Sequence, residues 1–218
     1  MKTIAEIIEE RKIAEVLHFT TNIGLTGITY KGAILSRKRL PEEKHLEHVF
    51  APNAEVRKDD DWIDHVNLSI SRINTEYFDH STRWHANEDL WWCALAFDPS
   101  ILSDEDVFFA TTNNIYTGCR RESGPAGLEA LFAEEVKRWR GHYAKREDGM
   151  AEGLTTCHQA EVLYPGALSL DRLIKVYVAT GPHADIASST CDILLAPDET
   201  TELASKVPVV VDPNVFKP

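Results

Sequence analysis

Cysteine is scarce in this chain, and what there is does not pair. Cys93, Cys119, Cys157 and Cys191 are widely spaced among 218 residues, with no C-x-x-C. Such spacing supplies neither a zinc knuckle nor the framework of a disulfide-stapled domain, so the thiols are expected to be reduced and buried. Long apolar runs are also missing. No segment has transmembrane length, and Met1-Lys2-Thr3-Ile4-Ala5-Glu6 carries charge where a secretory leader is apolar. A cytoplasmic protein with no membrane partner is expected. There is no G-x-G-x-x-G after a strand, no G-x-x-x-x-G-K-[ST], no H-E-x-x-H and no G-x-S-x-G. Phosphate-loop and zinc-protease readings therefore fail. His45 with His48, and His80 with His85, lie close in sequence but lack a third ligand in motif spacing, so no metal site is expected. Basic charge is in deficit: 23 Lys and Arg against 35 Asp and Glu leave a net charge of −12. That field repels nucleic acid as a whole and leaves only local contacts.

What is present suits one domain spanning residues 1–218. With 43% hydrophobic residues and five tryptophans, the chain can bury a substantial core. Basic residues collect at Lys31, Arg37, Lys38, Arg39 and Lys44, and again at Lys137, Arg138, Arg140, Lys145 and Arg146 with Trp139 and Tyr143 between them. Each run is either a solvated face or a phosphate-contacting rim.

Helical spacing of Ile4, Ile7, Ile8, Ile13 and Leu17 predicts a helix over 3–17, ending in a turn at His18-Phe19-Thr20-Thr21. A short helix from Glu42 to His48 follows Pro41, and the polar stretch through Pro52, Asn53 and Asp59-Asp60-Asp61 reads as a loop. Strands are expected at 66–70, 91–97, 107–110, 159–163, 174–179 and 207–211. Leu128, Leu131, Phe132, Val136, Trp139 and Tyr143 predict an amphipathic helix about five turns long. Strands in succession without intervening helices favour hairpins and an antiparallel or mixed sheet, hence an α+β class.

The most telling segment is Thr156-Cys157-His158-Gln159-Ala160-Glu161-Val162-Leu163-Tyr164-Pro165. On a strand, period two puts Gln159 and Glu161 on one face. A carboxylate there is paired, lost on the surface or kept for chemistry. Cys157 beside His158 suggests a thiol nucleophile, but strand neighbours face opposite ways and cannot form the pair.

Three segments in order are informative together: His18-Phe19-Thr20-Thr21-Asn22, Val66-Asn67-Leu68-Ser69-Ile70-Ser71, and Gln159-Ala160-Glu161. They look like the signatures of an ADP-ribosyltransferase fold, with antiparallel or mixed sheets and flanking helices. With Asp64-His65, Arg72-Ile73-Asn74 and Phe97-Asp98-Pro99, most of the chain resembles the DarT family of bacterial toxins. That family uses NAD⁺ to ADP-ribosylate bases in single-stranded DNA, and its toxins are restrained by a macrodomain-type antitoxin that reverses the modification. The thymine-modifying branch carries a Y-V-P-F-Y-F strand and a Pro-Arg-Ser-Pro run where this chain has Val66 to Arg72, so the resemblance favours guanine. Thymine, RNA or protein acceptors, or a non-catalytic nucleic-acid-binding module, are the alternatives.

On this resemblance Glu161, Gln159 and His18 are the expected catalytic residues. Glu161 serves the ribose as positive charge builds on it, and Gln159 faces the acceptor base. By itself His18 reads as a helix C-terminal residue satisfying carbonyls. Thr20, Asn22, Ser69 and Ser71 join His18 as candidate NAD⁺ contacts, with Arg57 or Arg72 at the pyrophosphate. Asn113, Asn114, Tyr116, Arg120 and Arg121 are the candidate DNA contacts, combining polar, aromatic and basic groups; the same segment also reads as a turn-rich hairpin loop.

Overall fold

The computed structural model describes residues 2–40, 60–84, 89–194 and 207–217. Arg57, the predicted Glu42 to His48 helix and the Pro52 and Asn53 stretch lie outside the described residues.

A capping box opens α1 (Ile4–Glu10): Thr3 Oγ1 accepts from the Glu6 amide at 3.2 Å, and the Glu6 carboxylate accepts from the Thr3 amide at 2.6 Å. The helix stops well short of the predicted 17. Lys12 adopts φ 54°, and the Ile13 amide reaches back to the Ile8 carbonyl at 3.0 Å, which is a Schellman stop made with lysine in the usual glycine position. The chain then enters β1 (Val16–Thr21), whose β-branched and aromatic residues suit a pleated surface. His18 is thus a strand residue and not a helix terminus.

After β1 come α2 (Asn22–Lys31), β2 (Ala33–Leu35), β3 (His65–Ile70), α3 (Thr75–Trp84), β4 (Trp92–Phe97), β5 (Phe108–Ala110) and β6 (Arg121–Ser123). The rest is α4 (Gly124–Ala130), β7 (Glu135–Lys137), β8 (Tyr143–Lys145), β9 (Glu161–Pro165), β10 (Ala167–Ser169), β11 (Leu173–Val178), α5 (Gly181–Leu194) and β12 (Val209–Val211). The five-turn helix predicted from 128 is replaced by the short α4 and a hairpin. Arg140 and Gly141, at φ 41° and 80°, turn β7 into β8, and the His142 amide donates to the Trp139 carbonyl at 2.7 Å. The apolar spacing from Leu128 to Tyr143 is shared between two elements and belongs to neither period.

Eight strands form one mixed sheet in the order β12-β11-β4-β1-β3-β9-β5-β6, antiparallel except for β11 with β12. One face carries the larger core, in which Val16, Val66, Leu68, Ile70, Leu95, Phe97, Phe109 and Val176 pack with Ile7, Leu25, Leu128 and Ala187 from α1, α2, α4 and α5. On the other face Leu17, Ala94, Ala96 and Tyr177 meet Phe78 of α3, with Phe216 packed alongside. Strict alternation in β3 buries Val66, Leu68 and Ile70 and leaves Asn67 and Ser69 half-buried on the opposite face.

The sheet is not continuous through its middle. β1 pairs with β4 over all six residues from Val16 to Thr21, but with β3 only at Val16 to Ile70 and Leu17 to Ser69. Beyond Leu17 the two strands separate and a cleft opens.

Glycine positions provide a test of the packing on the larger face. A Cβ at Gly127 would sit 2.1 Å from the Glu122 carbonyl oxygen, which belongs to β6 and cannot yield, whereas at Gly181 it would meet nothing within 4 Å. Gly127→Ala is expected to destabilise the protein by about 1–3 kcal/mol, and Gly181→Ala to leave it unchanged or stabilise it by about 0.5 kcal/mol. Chemical denaturation of the two variants measures both.

Candidate active site

The separation of β1 from β3 is bridged by a side chain. His18 Nδ1 lies 3.1 Å from the Asn67 main-chain oxygen, and because a carbonyl only accepts, Nδ1 carries the hydrogen. Burial holds the His18 imidazole below its ordinary value, outweighing the carbonyl contact that favours the charged form. The neutral ring then keeps Nε2 as an acceptor.

Asn67 also donates from Nδ2 to Glu161 Oε2 at 2.9 Å, and the Asn114 amide reaches the same oxygen at 3.3 Å. Glu161 is the first residue of β9, opposite Ala110 in β5, and is half-buried. Bonds to an ionised carboxylate are the stronger kind, and two on one oxygen fix its direction. Thus β1, β3 and β9 bring His18, Asn67 and Glu161 together.

Gln159 lies in the turn before β9, not on the strand, and it is 3% exposed. Its Oε1 accepts from Arg138, the residue after β7. Arg138 also pairs with Glu76 of α3 at 3.3 Å, and His158 Nε2 meets the same Glu76 oxygen at 2.9 Å. These contacts hold the Glu76 carboxyl below its ordinary range, the His158 bond being the largest cause. Tyr77, next along α3, packs against Phe19 with ring centroids 5.9 Å apart, which places α3 beside the cleft.

The remaining sequence candidates divide. Asn22 opens α2, exchanging bonds with the Trp91 main chain at 2.9 and 3.4 Å. Thr20 is buried, and its Oγ1 occupies the space a Cβ at Gly24 would take, so it packs β1 against α2. Ser69 shares the Asn67 face of β3, whereas Ser71, at φ 58°, is beyond the strand beside Gly153. Arg72 follows in a bend, its amide bonded to the Ile70 carbonyl at 2.7 Å. In the 111–121 segment Asn113 closes a local turn onto the Ile115 amide at 3.1 Å. Asn114 is 1% exposed and braced by Arg121, which donates to both its side-chain and main-chain oxygens. Arg120 is exposed and paired with Glu122, and Tyr116 rests against Trp139 at 4.9 Å. The Asn114 main-chain amide thus supports Glu161 from within, and Arg121 braces Asn114.

Asn67 and Glu76 were not singled out from the sequence, and Arg138 was named only as one cation of a basic run. Asn67 offered one signal, an amide on the polar face of an alternating strand. Cys157, in the same turn as His158, donates to Thr112 Oγ1 at 3.3 Å and is buried, as a structural thiol would be.

Two predictions arise from this geometry. The unfolded chain binds protons at His18 near the ordinary value of 6.5 and the folded chain binds them only at lower pH, so stability falls as pH drops below about 6.5. His65 is shifted in the same direction; parent and His18→Gln melting curves, compared from pH 7.5 to 5.5, isolate the His18 share as the part of the acid loss missing from the variant. Asn67→Ala removes a donor to a half-buried carboxylate and is expected to cost about 1–3 kcal/mol in denaturant titrations.

Comparisons with known proteins identify the family and the fold. A sequence profile described as "ssDNA thymidine ADP-ribosyltransferase, DarT" matches residues 17–216. No curated protein sequence matches the chain. Among solved structures, Thermus sp. 2.9 DarT in complex with ADP-ribosylated ssDNA aligns with a TM-score of 0.63 at 13% identity, over 94% of this chain and 97% of that one. The same protein in complex with NAD⁺ gives 0.61 at 12% identity, over 94% and 98%. Thermosipho africanus DarTG in complex with ADP-ribose gives 0.57 at 15% identity, over 93% of this chain and 51% of that one. At such identities the likeness establishes the ADP-ribosyltransferase fold, and the profile establishes the family. The chain belongs to the DarT family of single-stranded-DNA ADP-ribosyltransferases.

Proposed function

We propose that this chain transfers ADP-ribose from NAD⁺ to a guanine base in single-stranded DNA, releasing nicotinamide, with Glu161 as the catalytic carboxylate. The observation that carries the reading is the Glu161 oxygen held by Asn67 and the Asn114 amide, in a cleft where the same Asn67 accepts from His18. The glycosidic bond to nicotinamide breaks with its electron pair leaving on the nicotinamide ring nitrogen. Positive charge builds on the ribose, where a fixed carboxylate opposes it and accepts from the 2′-hydroxyl. A base nitrogen attacks the anomeric carbon and loses its proton to Glu161. His18, neutral with Nε2 available as an acceptor, binds a ribose hydroxyl, and Asn22 and Ser69 line the dinucleotide path. Arg57 or Arg72 neutralises the pyrophosphate.

The target strand crosses Tyr116 and Trp139, whose contact joins the 111–121 segment to the β7–β8 hairpin, with Arg120 and Lys137 beside them. Guanine is favoured because the Val66 to Arg72 strand departs from the thymine-modifying pattern, although the matching profile is described by thymidine. The DarT likeness further supports a toxin acting in the cytoplasm, where NAD⁺ and DNA meet, and a macrodomain-type antitoxin that removes the modification.

Incubation with NAD⁺ and single-stranded oligonucleotides lacking one base at a time tests the proposal by mass. Product is expected with every oligonucleotide except the one without guanine; product that survives loss of guanine but not of thymine reassigns the base, and no product with any of them sinks the transferase reading. Glu161→Gln keeps the shape of the side chain and is expected to lower transfer by about 10²–10³-fold. Its thermal melting should stay close to that of the parent.

A further inference from the structure

Gln159 is described above by what it accepts; what it can donate is set by its neighbour. Arg138 stands where β7 enters the hairpin, its side chain 17% exposed. Its guanidinium donates to Gln159 Oε1, pairs with Glu76 and lies 4.4 Å from the Trp139 ring centroid. A guanidinium has donors only, so the Gln159 atom facing it must be the carbonyl oxygen, and the amide NH₂ must face the other way. Among the described residues no hydrogen bond engages that NH₂, although Gln159 is buried. Two N–H donors are thereby aimed away from Arg138, in the turn leading into Glu161. The Trp139 ring beside Arg138 is the one packed at a tilt against Tyr116 on the proposed path of the strand.

We propose that Arg138 is a positioning residue that locks the Gln159 amide with its donors toward the acceptor base, and so selects bases that present a carbonyl oxygen over bases that present an amino group. The inference rests on the proposed transfer to DNA. Guanine carries an oxygen acceptor at its 6-position and thymine one at its 4-position, where adenine and cytosine carry amino donors. A Gln159 amide free to flip would offer its oxygen to the amino bases equally well, and discrimination would fall. Glu76 contributes by holding the guanidinium from its other side, and His158 holds Glu76.

The measurement is a ratio. Parent and variants are given NAD⁺ and single-stranded oligonucleotides offering either the preferred carbonyl base or an amino base, and adducts are counted by mass. Arg138→Met is expected to lower the carbonyl-to-amino ratio by roughly tenfold or more, the scale of one misread base contact. Arg138→Lys, also a donor only, is expected to restore most of it. A merely structural Arg138 would lower transfer to all bases in proportion, and an unchanged ratio overturns the proposal. If Arg138→Met does not fold, Gln159→Met carries the same test, because it removes donor and acceptor together. In the double variant the ratio should match that of Gln159→Met alone, and additive losses would also overturn the coupling. A parent that modifies no oligonucleotide overturns the transfer reading and this inference together, whereas a selective parent with an unaltered Arg138→Met ratio overturns only this inference.

Discussion

One residue of β3 ties the chemistry to the fold. Asn67 accepts from the His18 ring through its main-chain oxygen and donates to Glu161 through its side-chain amide. The two bonds use different parts of the residue, so neither competes with the other. Residues near opposite ends of the chain are thus held against a single position whose own geometry is fixed by pairing with Leu163 of β9. A carboxylate and an imidazole placed by loops would need ordering on each turnover; here the sheet has already met that entropic cost.

The cleft between β1 and β3 is tolerated because each strand is secured on its far side. β1 is paired with β4 along its whole length, and β3 with β9 from His65 to Leu68. On the cleft side Phe19, Thr20 and Thr21 have no strand partner in β3. Main-chain groups there need other partners, and the polar parts of a dinucleotide are suited to supply them. The helix that follows begins on the Thr21 cap, whose Oγ1 accepts from the Gly24 amide at 3.2 Å, and Gly24 lets that helix sit close upon Thr20. Separation of the strands, rather than any single side chain, makes the room beside Glu161 and His18.

Most strand signals survived translation into structure, although the strand read from Gln159 begins only at Glu161; the helical readings kept less, the first shrinking to Ile4–Glu10 and the five-turn helix to Gly124–Ala130. Val66 to Ile70, the Trp92 to Phe97 run and Leu173 to Val178 were legible because burial on one or both sheet faces imposes its pattern on the residues directly. The helix read over 3–17 failed because its termination depends on Lys12 at positive φ, a conformation that composition marks only when glycine is present. The five-turn helix failed because Leu128, Leu131 and Phe132 belong to the larger core while Val136, Trp139 and Tyr143 sit on a separate hairpin, Tyr143 exposed, so their spacing mimics a single stripe that no one element carries. The juxtaposition of His18 and Glu161 was legible through their order along the chain. Asn67, Arg138 and the inward role of Asn114 were not, since each is defined by a partner remote in sequence: Asn67 by Glu161, Arg138 by Gln159, and the Asn114 amide again by Glu161.

The acidic balance of the chain bears on how a polyanion is handled. A net charge of −12 opposes DNA at long range, and screening at physiological salt confines attraction to about 8 Å. Cations that matter must therefore lie directly along the strand. The β7–β8 hairpin concentrates Lys137, Arg138, Arg140 and Lys145 around Trp139, but Lys145 is paired with Glu135 and Arg138 with Glu76. Few charges of this hairpin are then left unpaired, so on the proposed path of the strand stacking on aromatic rings would carry more of the affinity there than counterion release. Such a balance suits an enzyme that must let go of a product bearing two more phosphates than its substrate, because an acidic body opposes the more highly charged partner more strongly.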